Sequence, residues 1–258
     1  MEKKKLFKII MWIRLPFTIY LLISLLIVPG IEEVQGKSIL GAHRGDSINY
    51  EENTLEAFES AVNNSKYEFI EFDVTYTEDD KKVIFHQNNI MRIPKKLTII
   101  PNATYGEVQE KFEFHIPTYE ETMSVIGDKK PLNIEIKSTG DFEKDKRLTE
   151  EIIKDCKERK IVQQVMISSI SEEIIFYVEE NYPEIKTGKV YWVNVYSIIP
   201  LEIICKEVYD TPADYVLLHG YNLHNYENLI EYKPEEKGLM FWYFTDEVYI
   251  CDNQKFWE

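Results

Sequence analysis

A chain of 258 residues has room for one α/β barrel, which takes about 250 residues, although its N-terminus removes some of that length. An apolar content of 44% excludes wholesale disorder. The net charge is −15, and the first thirty residues carry five Lys or Arg against one Glu, which leaves about −19 on the remainder. A body that acidic argues against binding nucleic acid or an anionic membrane surface through its general field, and it suits attraction of divalent cations.

Met1 to Gly36 reads as a targeting segment outside the fold. Lys3, Lys4, Lys5 and Lys8 precede an apolar stretch that is cleanest from Leu15 to Val28 and reaches spanning length if extended back to Ile9, with Arg14 included. A cleaved signal peptide competes: Val34-Gln35-Gly36 supplies small residues but no Ala-x-Ala. The flank and length rules favour an uncleaved anchor. Either way the positive flank stays inside, and residues from Lys37 to Glu258 form an exported body.

Within the body, three short apolar runs end in polar groups. Ile39 to Ala42 lead into His43-Arg44-Gly45, Phe69-Ile70 into Glu71-Phe72-Asp73, and Val83 to Phe85 into His86. Such runs read as buried strands. If they are parallel, their ends gather at one carboxyl edge of a sheet, where α/β proteins place their chemistry. Asn53 with Glu56 three later reads as a capping-box start of a helix to about Asn64. Further on, Thr118 to Val125 reads as a helix, Leu132 to Lys137 as a strand and Phe142 to Arg159 as an amphipathic helix. Gln164 to Ser169 is the next strand, followed by a helix capped by Ser171. Lys186 to Trp192, Asp214 to His219 and Leu239 to Thr245 supply the remaining strands. Alternation of this kind is the signature of an α/β barrel.

Glu71 and Asp73 are two apart on a strand and share a face, as do Glu135 and Lys137. Alone, each pair is a solvated strand end; together Glu71, Asp73 and Glu135 make an all-oxygen set suited to Ca²⁺ or Mg²⁺. Cys156, Cys205 and Cys251 match no zinc motif, and Cys156 lies at helical spacing from Leu148, Ile152 and Ile153, as a core residue does. His115 reads as a surface residue; His219 and His224 flank a strand end without a clear role.

The motifs His43-Arg44-Gly45, Glu52-Asn53-Thr54-Leu55-Glu56-Ala57-Phe58, Ile70 to Val74 with Thr77 and Asp79, Val83 to His86, Ile116-Pro117-Thr118, Asn133 to Lys137 and Ser168-Ser169 resemble the glycerophosphodiester phosphodiesterases, in that family's order from about residue 39 to 245. The resemblance implies a TIM-type (β/α)8 barrel and metal-dependent hydrolysis of a small-molecule glycerophosphodiester to glycerol 3-phosphate and an alcohol. It carries metal ligation onto Glu71, Asp73 and Glu135, the general base onto His43 and the general acid onto His86. Arg44 would fork onto the phosphate and Lys137 would add a point charge. Glu52 is expected near the mouth, residues 75 to 82 form a loop, and residues 88 to 117 occupy the place of a short insertion over the barrel mouth. Two departures stand out: Gln87 replaces the Asp that usually follows the second His, and only thirteen residues follow Thr245, which leaves the last barrel unit shortened or incomplete. Water and the substrate's own hydroxyl both remain open as the nucleophile. Two other readings compete: a phospholipase of the same superfamily acting on intact lipids, and an inactive anchored binding module.

Overall fold

Every second residue of the strands faces inward and the others face outward, so each strand must be apolar or paired on both sides. The strand Phe69–Tyr76 (β2) is buried along its whole length for that reason. The structure, a computed structural model, describes residues 39–86, 100–191, 201–242 and 247–250. Its strands form one nine-stranded sheet. In it, β1 (Ile39–His43), β2, β4 (Leu132–Ile136), β5 (Val165–Ser169), β6 (Lys186–Tyr191), β7 (Tyr215–His219) and β8 (Gly238–Trp242) run parallel. Helices α1 (Leu55–Asn63), α2 (Tyr105–Gln109), α3 (Tyr119–Ile126), α4 (Phe142–Arg159), α5 (Glu172–Asn181), α6 (Leu201–Val208) and α7 (Tyr226–Glu231) fall between strands.

The sheet curls on itself, because β1 pairs with β2 on one side and β9 (Glu247–Ile250) on the other, while β9 also pairs with β8. This answers the question of the last unit. Only residues 243–246 separate β8 from β9, and a parallel return needs a crossover of about a dozen residues or more. The eighth place in the ring is therefore taken antiparallel. A TIM-type barrel of parallel strands stands, with a hairpin as its final unit.

The third apolar run is a correction to the expectation of a parallel barrel strand. Lys82–Ile84 (β3) pairs antiparallel with the end of β2 and lies outside the ring. The turn between them is tied by Thr77, which donates to Asp79 at 2.6 Å and accepts from the Lys81 N–H at 2.9 Å. The described part of the expected insertion, residues 100–117, packs Ile100, Val108 and Ile116 against Val83 and Phe85 of this hairpin. The remainder of the insertion, Gln87, Cys251 and the N-terminal segment Met1 to Gly36 lie outside the described residues. Among the described residues, no helix is long and apolar enough to cross a membrane.

Outward side chains of β2, β4 and β5 meet α1, α3, α4 and α5 in the main core. Phe72 lies 5.8 Å from Phe58 and 6.4 Å from Tyr119, centroid to centroid; burying such a ring contributes about 1.5–3 kcal/mol. The α4 boundaries match expectation because they are local: Asp141 caps the Glu143 and Lys144 N–H groups, and Leu148, Ile152, Ile153 and Cys156 are buried on one face. Inside the ring, Phe69, Met166, Tyr215, Leu217 and Met240 fill the lower barrel. The upper barrel is left to polar groups.

Candidate active site

The β1 end is shaped by left-handed backbone at Arg44 (φ 61°), Gly45 (φ 79°) and Asn53 (φ 58°). Gly45 is needed twice over: its φ disfavours a side chain, and a Cβ would lie 2.8 Å from the Ala57 backbone. Asp46 then clamps the loop to the fold, accepting from Ser60 Oγ at 2.6 Å and Tyr67 Oη at 2.9 Å. Asn53 does not cap α1 as its sequence suggested. Thr54 caps instead, accepting from the Ala57 N–H, and Asn53 donates through Nδ2 to Asp73 Oδ2 at 2.9 Å. A side chain read as helix punctuation is a brace for a carboxylate.

Neighbouring strands align the acidic residues by register: His43 beside Glu71, Glu71 beside Asn133, and Asp73 beside Glu135. Glu71, Asp73 and Glu135 each offer a carboxylate oxygen within 4.8 Å of the others, and Glu71 and Asp73 are fully enclosed. Arg44, expected to fork onto a phosphate, is buried and engaged with protein. Its Nη1 donates to Glu52 Oε2 at 2.9 Å, its Nε sits 3.3 Å from Asp73 Oδ2, and its backbone N–H donates to Glu71 Oε2 at 2.9 Å. Lys137 Nζ donates to Glu135 Oε1 at 2.6 Å and lies 3.3 Å from Asp73 Oδ1.

The charges are unevenly shared. Burial, reinforced by Asp73 and Glu135, raises the Glu71 carboxyl well above the usual carboxylate range. Burial opposes ionisation of Asp73 too, but Lys137, His86 and Arg44 outweigh it and hold that carboxyl far below the usual range. Burial also raises Glu135, with Lys137 opposing and Asp73 assisting. When ionised, Glu52, Glu71, Asp73 and Glu135 pair, among the described residues, with the cations Arg44 and Lys137. The surplus of two negative charges equals one divalent cation. Glu71 Oε1, buried and without a hydrogen-bond partner among the described residues, is a ready ligand atom for it. The residues present fit the hard cation that their chemistry implies.

His43 Nε2 lies 3.8 Å from Glu71 Oε2. His86 reaches the same cleft because the chain beyond β3 stays bound to β2, Phe85 N–H donating to the Asp73 carbonyl at 3.1 Å. Burial, aided by Lys137 and Arg44 and opposed by Asp73, pushes the His86 ring down to about 3. Both rings line a cleft with Arg44, Glu71, Glu135 and Lys137. Its opposite wall is apolar, from Val190, Leu217 and Trp242. Trp242 sits edge-on between His43 at 6.1 Å and His219 at 4.7 Å. Burial lowers His219 to about 4, so this ring is a neutral buttress. His115 pairs with Glu121 at 3.1 Å on the surface, and Glu52 reaches the site through Arg44. Sequence alone gives Asp46 no role, reads Asn53 as a helix start and holds Asn133 only as part of a motif; the position of Asn133, two before Glu135, signals its inward face.

The Glycerophosphoryl diester phosphodiesterase family model matches residues 43–228. A glycerophosphodiester phosphodiesterase of Caldanaerobacter subterraneus subsp. tengcongensis is 34% identical over 166 residues, covering 60% of this chain and 67% of that protein. One from Bacillus altitudinis is 27% identical over 138 residues, covering 50% and 56%. The matched stretch thus spans from 56% to 67% of the length of these two relatives. The solved glycerophosphodiester phosphodiesterase of Thermotoga maritima superposes with a TM-score of 0.59 at 25% identity, over 81% of this chain and 87% of that one. With the family model matching well over half of its residues, the chain belongs to the glycerophosphoryl diester phosphodiesterase family.

Proposed function

We propose that this chain hydrolyses glycerophosphodiesters to glycerol 3-phosphate and an alcohol, with Ca²⁺ or Mg²⁺ held by Glu71, Asp73 and Glu135. Family membership supports the reaction. The observation that carries the metal-dependent form is the buried surplus of two negative charges beside two imidazoles in one cleft. When bound, the cation would supply positive charge to the phosphoryl oxygens. Lys137, at the cleft wall, adds a further point charge for the same oxygens.

His43 acts as the general base and His86 as the general acid, roles suited to imidazole because its unperturbed titration lies near working pH. Burial and the two nearby cations hold the His86 ring neutral near pH 7. A diester brings one negative charge, and a proton on His86 restores neutrality to the filled site. Substrate binding thereby arms the acid. Arg44 serves the site mainly as a brace, locking Asp73 and Glu52 while its backbone N–H orients Glu71. Both histidines, Glu71 and Glu135 line one cleft with Asp73 buried beside the two carboxylates, which counts against an inactive binding module.

The body is further proposed to lie outside the cytoplasmic membrane behind an N-terminal anchor, a reading supported by Lys3 to Lys8 ahead of the apolar Leu15 to Val28. The catalytic reading is tested by release of glycerol 3-phosphate from glycerophosphocholine with and without EDTA. Activity that chelation abolishes and Ca²⁺ or Mg²⁺ restores is expected. Full activity after exhaustive chelation would remove the metal from the mechanism, and no release under any condition would remove the reaction.

A further inference from the structure

We propose that Asn133 supplies a neutral amide-oxygen ligand to the cation, beside the carboxylates of Glu71, Asp73 and Glu135. The inference rests on the metal-dependent reading above. Asn133 precedes Glu135 by two residues on β4, so the two side chains enter the barrel from one face. Across the β2–β4 pairing, Asn133 is the register partner of Glu71. It is 1% exposed and lines the cleft.

Its Oδ1 has no hydrogen-bond partner among the described residues, and neither has Glu71 Oε1. Both atoms are acceptors, so neither can satisfy the other. On the adjoining strand, Ser168, the register partner of Glu135, does not donate to either atom, because its Oγ is also buried without a partner among the described residues. Buried acceptors left in this state are costly, and native interiors rarely tolerate several in one place. A cation between the strands would satisfy the amide and carboxylate oxygens together. An additional protein oxygen also favours Ca²⁺, which takes six to eight oxygen ligands, over Mg²⁺, which keeps several waters. The competing arrangement turns the amide round, so that Nδ2 donates to Glu71 and Asn133 merely positions that carboxylate.

The two arrangements respond oppositely to charge. The purified full-length chain is stripped with chelator and titrated with CaCl₂ and MgCl₂ by isothermal calorimetry, for the wild type, Asn133→Leu and Asn133→Asp. The leucine variant keeps the shape and removes the oxygen. Its Ca²⁺ affinity is expected to fall at least about tenfold, and its Mg²⁺ affinity by less. The aspartate variant keeps an oxygen in place and is expected to bind Ca²⁺ at least as tightly as wild type. Circular dichroism melts establish that each variant is folded; should the leucine variant fail to fold, the aspartate variant decides alone. Wild-type Ca²⁺ affinity in folded Asn133→Leu, or weakened affinity in Asn133→Asp, would overturn the assignment. If the wild type itself binds neither ion, the metal-dependent reading falls and this inference with it. Wild-type binding that the leucine variant leaves unchanged removes Asn133 alone.

Discussion

Replacing Glu71 by Gln separates the stability of the empty site from its capacity for a cation. Ligand oxygens of Glu71, Asp73 and Glu135 lie within 4.8 Å of one another. At that separation and an effective dielectric of about 20, each like-charged pair repels by about 3 kcal/mol. Glu71 faces two such neighbours, with Arg44 returning part of the cost through its N–H at 2.9 Å and its guanidinium. The sign follows from linkage. The folded-state pKa of Glu71 is raised, so its contribution to stability is present below the unfolded value of about 4.3 and is lost as pH rises through the folded one. Near neutrality the empty site is a destabilised one. Glu71→Gln removes the charge and keeps an acceptor for the Arg44 N–H. In EDTA it should therefore stabilise the protein by about 1–3 kcal/mol, an increase in Tm of about 2–12 °C for a body of this size. Calcium at about a hundred times its Kd should stabilise the wild type by about 2.7 kcal/mol, and the variant should lose most of that gain. Scanning calorimetry at neutral pH, in EDTA and in Ca²⁺, measures both. A variant that melts below wild type in EDTA yet keeps the full Ca²⁺ shift would refute the electrostatic account of this site.

The acid–base pair makes a second prediction: His43→Ala and His86→Ala should each cost at least about 100-fold in kcat, and the double variant should be scarcely worse than either. Near-wild-type turnover in either single variant would end the assigned roles. Gly45→Ala should lower stability by about 2 kcal/mol or more, since a Cβ there meets the Ala57 backbone at 2.8 Å and φ is 79°; an unchanged melting temperature would show that the loop adapts. For topology, protease added to intact cells should digest the body, whereas protection equal to that of a cytoplasmic control would reverse the proposed orientation.

Sequence-local physics made much of this molecule legible. The helix Phe142–Arg159 is bounded by its Asp141 cap and its apolar spacing, both of which act within a turn or two. The shared faces of Glu71 with Asp73 and of Glu135 with Lys137 follow from strand periodicity alone. The direction of Lys82–Ile84 was not legible, because an apolar run looks the same whichever way it pairs; the Thr77 turn and the β2 edge decide it. Closure of the ring was equally hidden, since Glu247–Ile250 completes it only through pairing with both β1 and β8. Asn53 looked like a cap because capping patterns are local, whereas its partner Asp73 lies twenty residues away. Arg44 lines the cleft as its motif implied, but the gathering of Glu52, Glu71 and Asp73 around it could not be read from the chain. Periodicity, caps and residue chemistry act over short range and are written along the chain. Strand direction, ring closure and the balance of charge in the buried site arise from groups far apart in sequence, so only their assembly in three dimensions determines them.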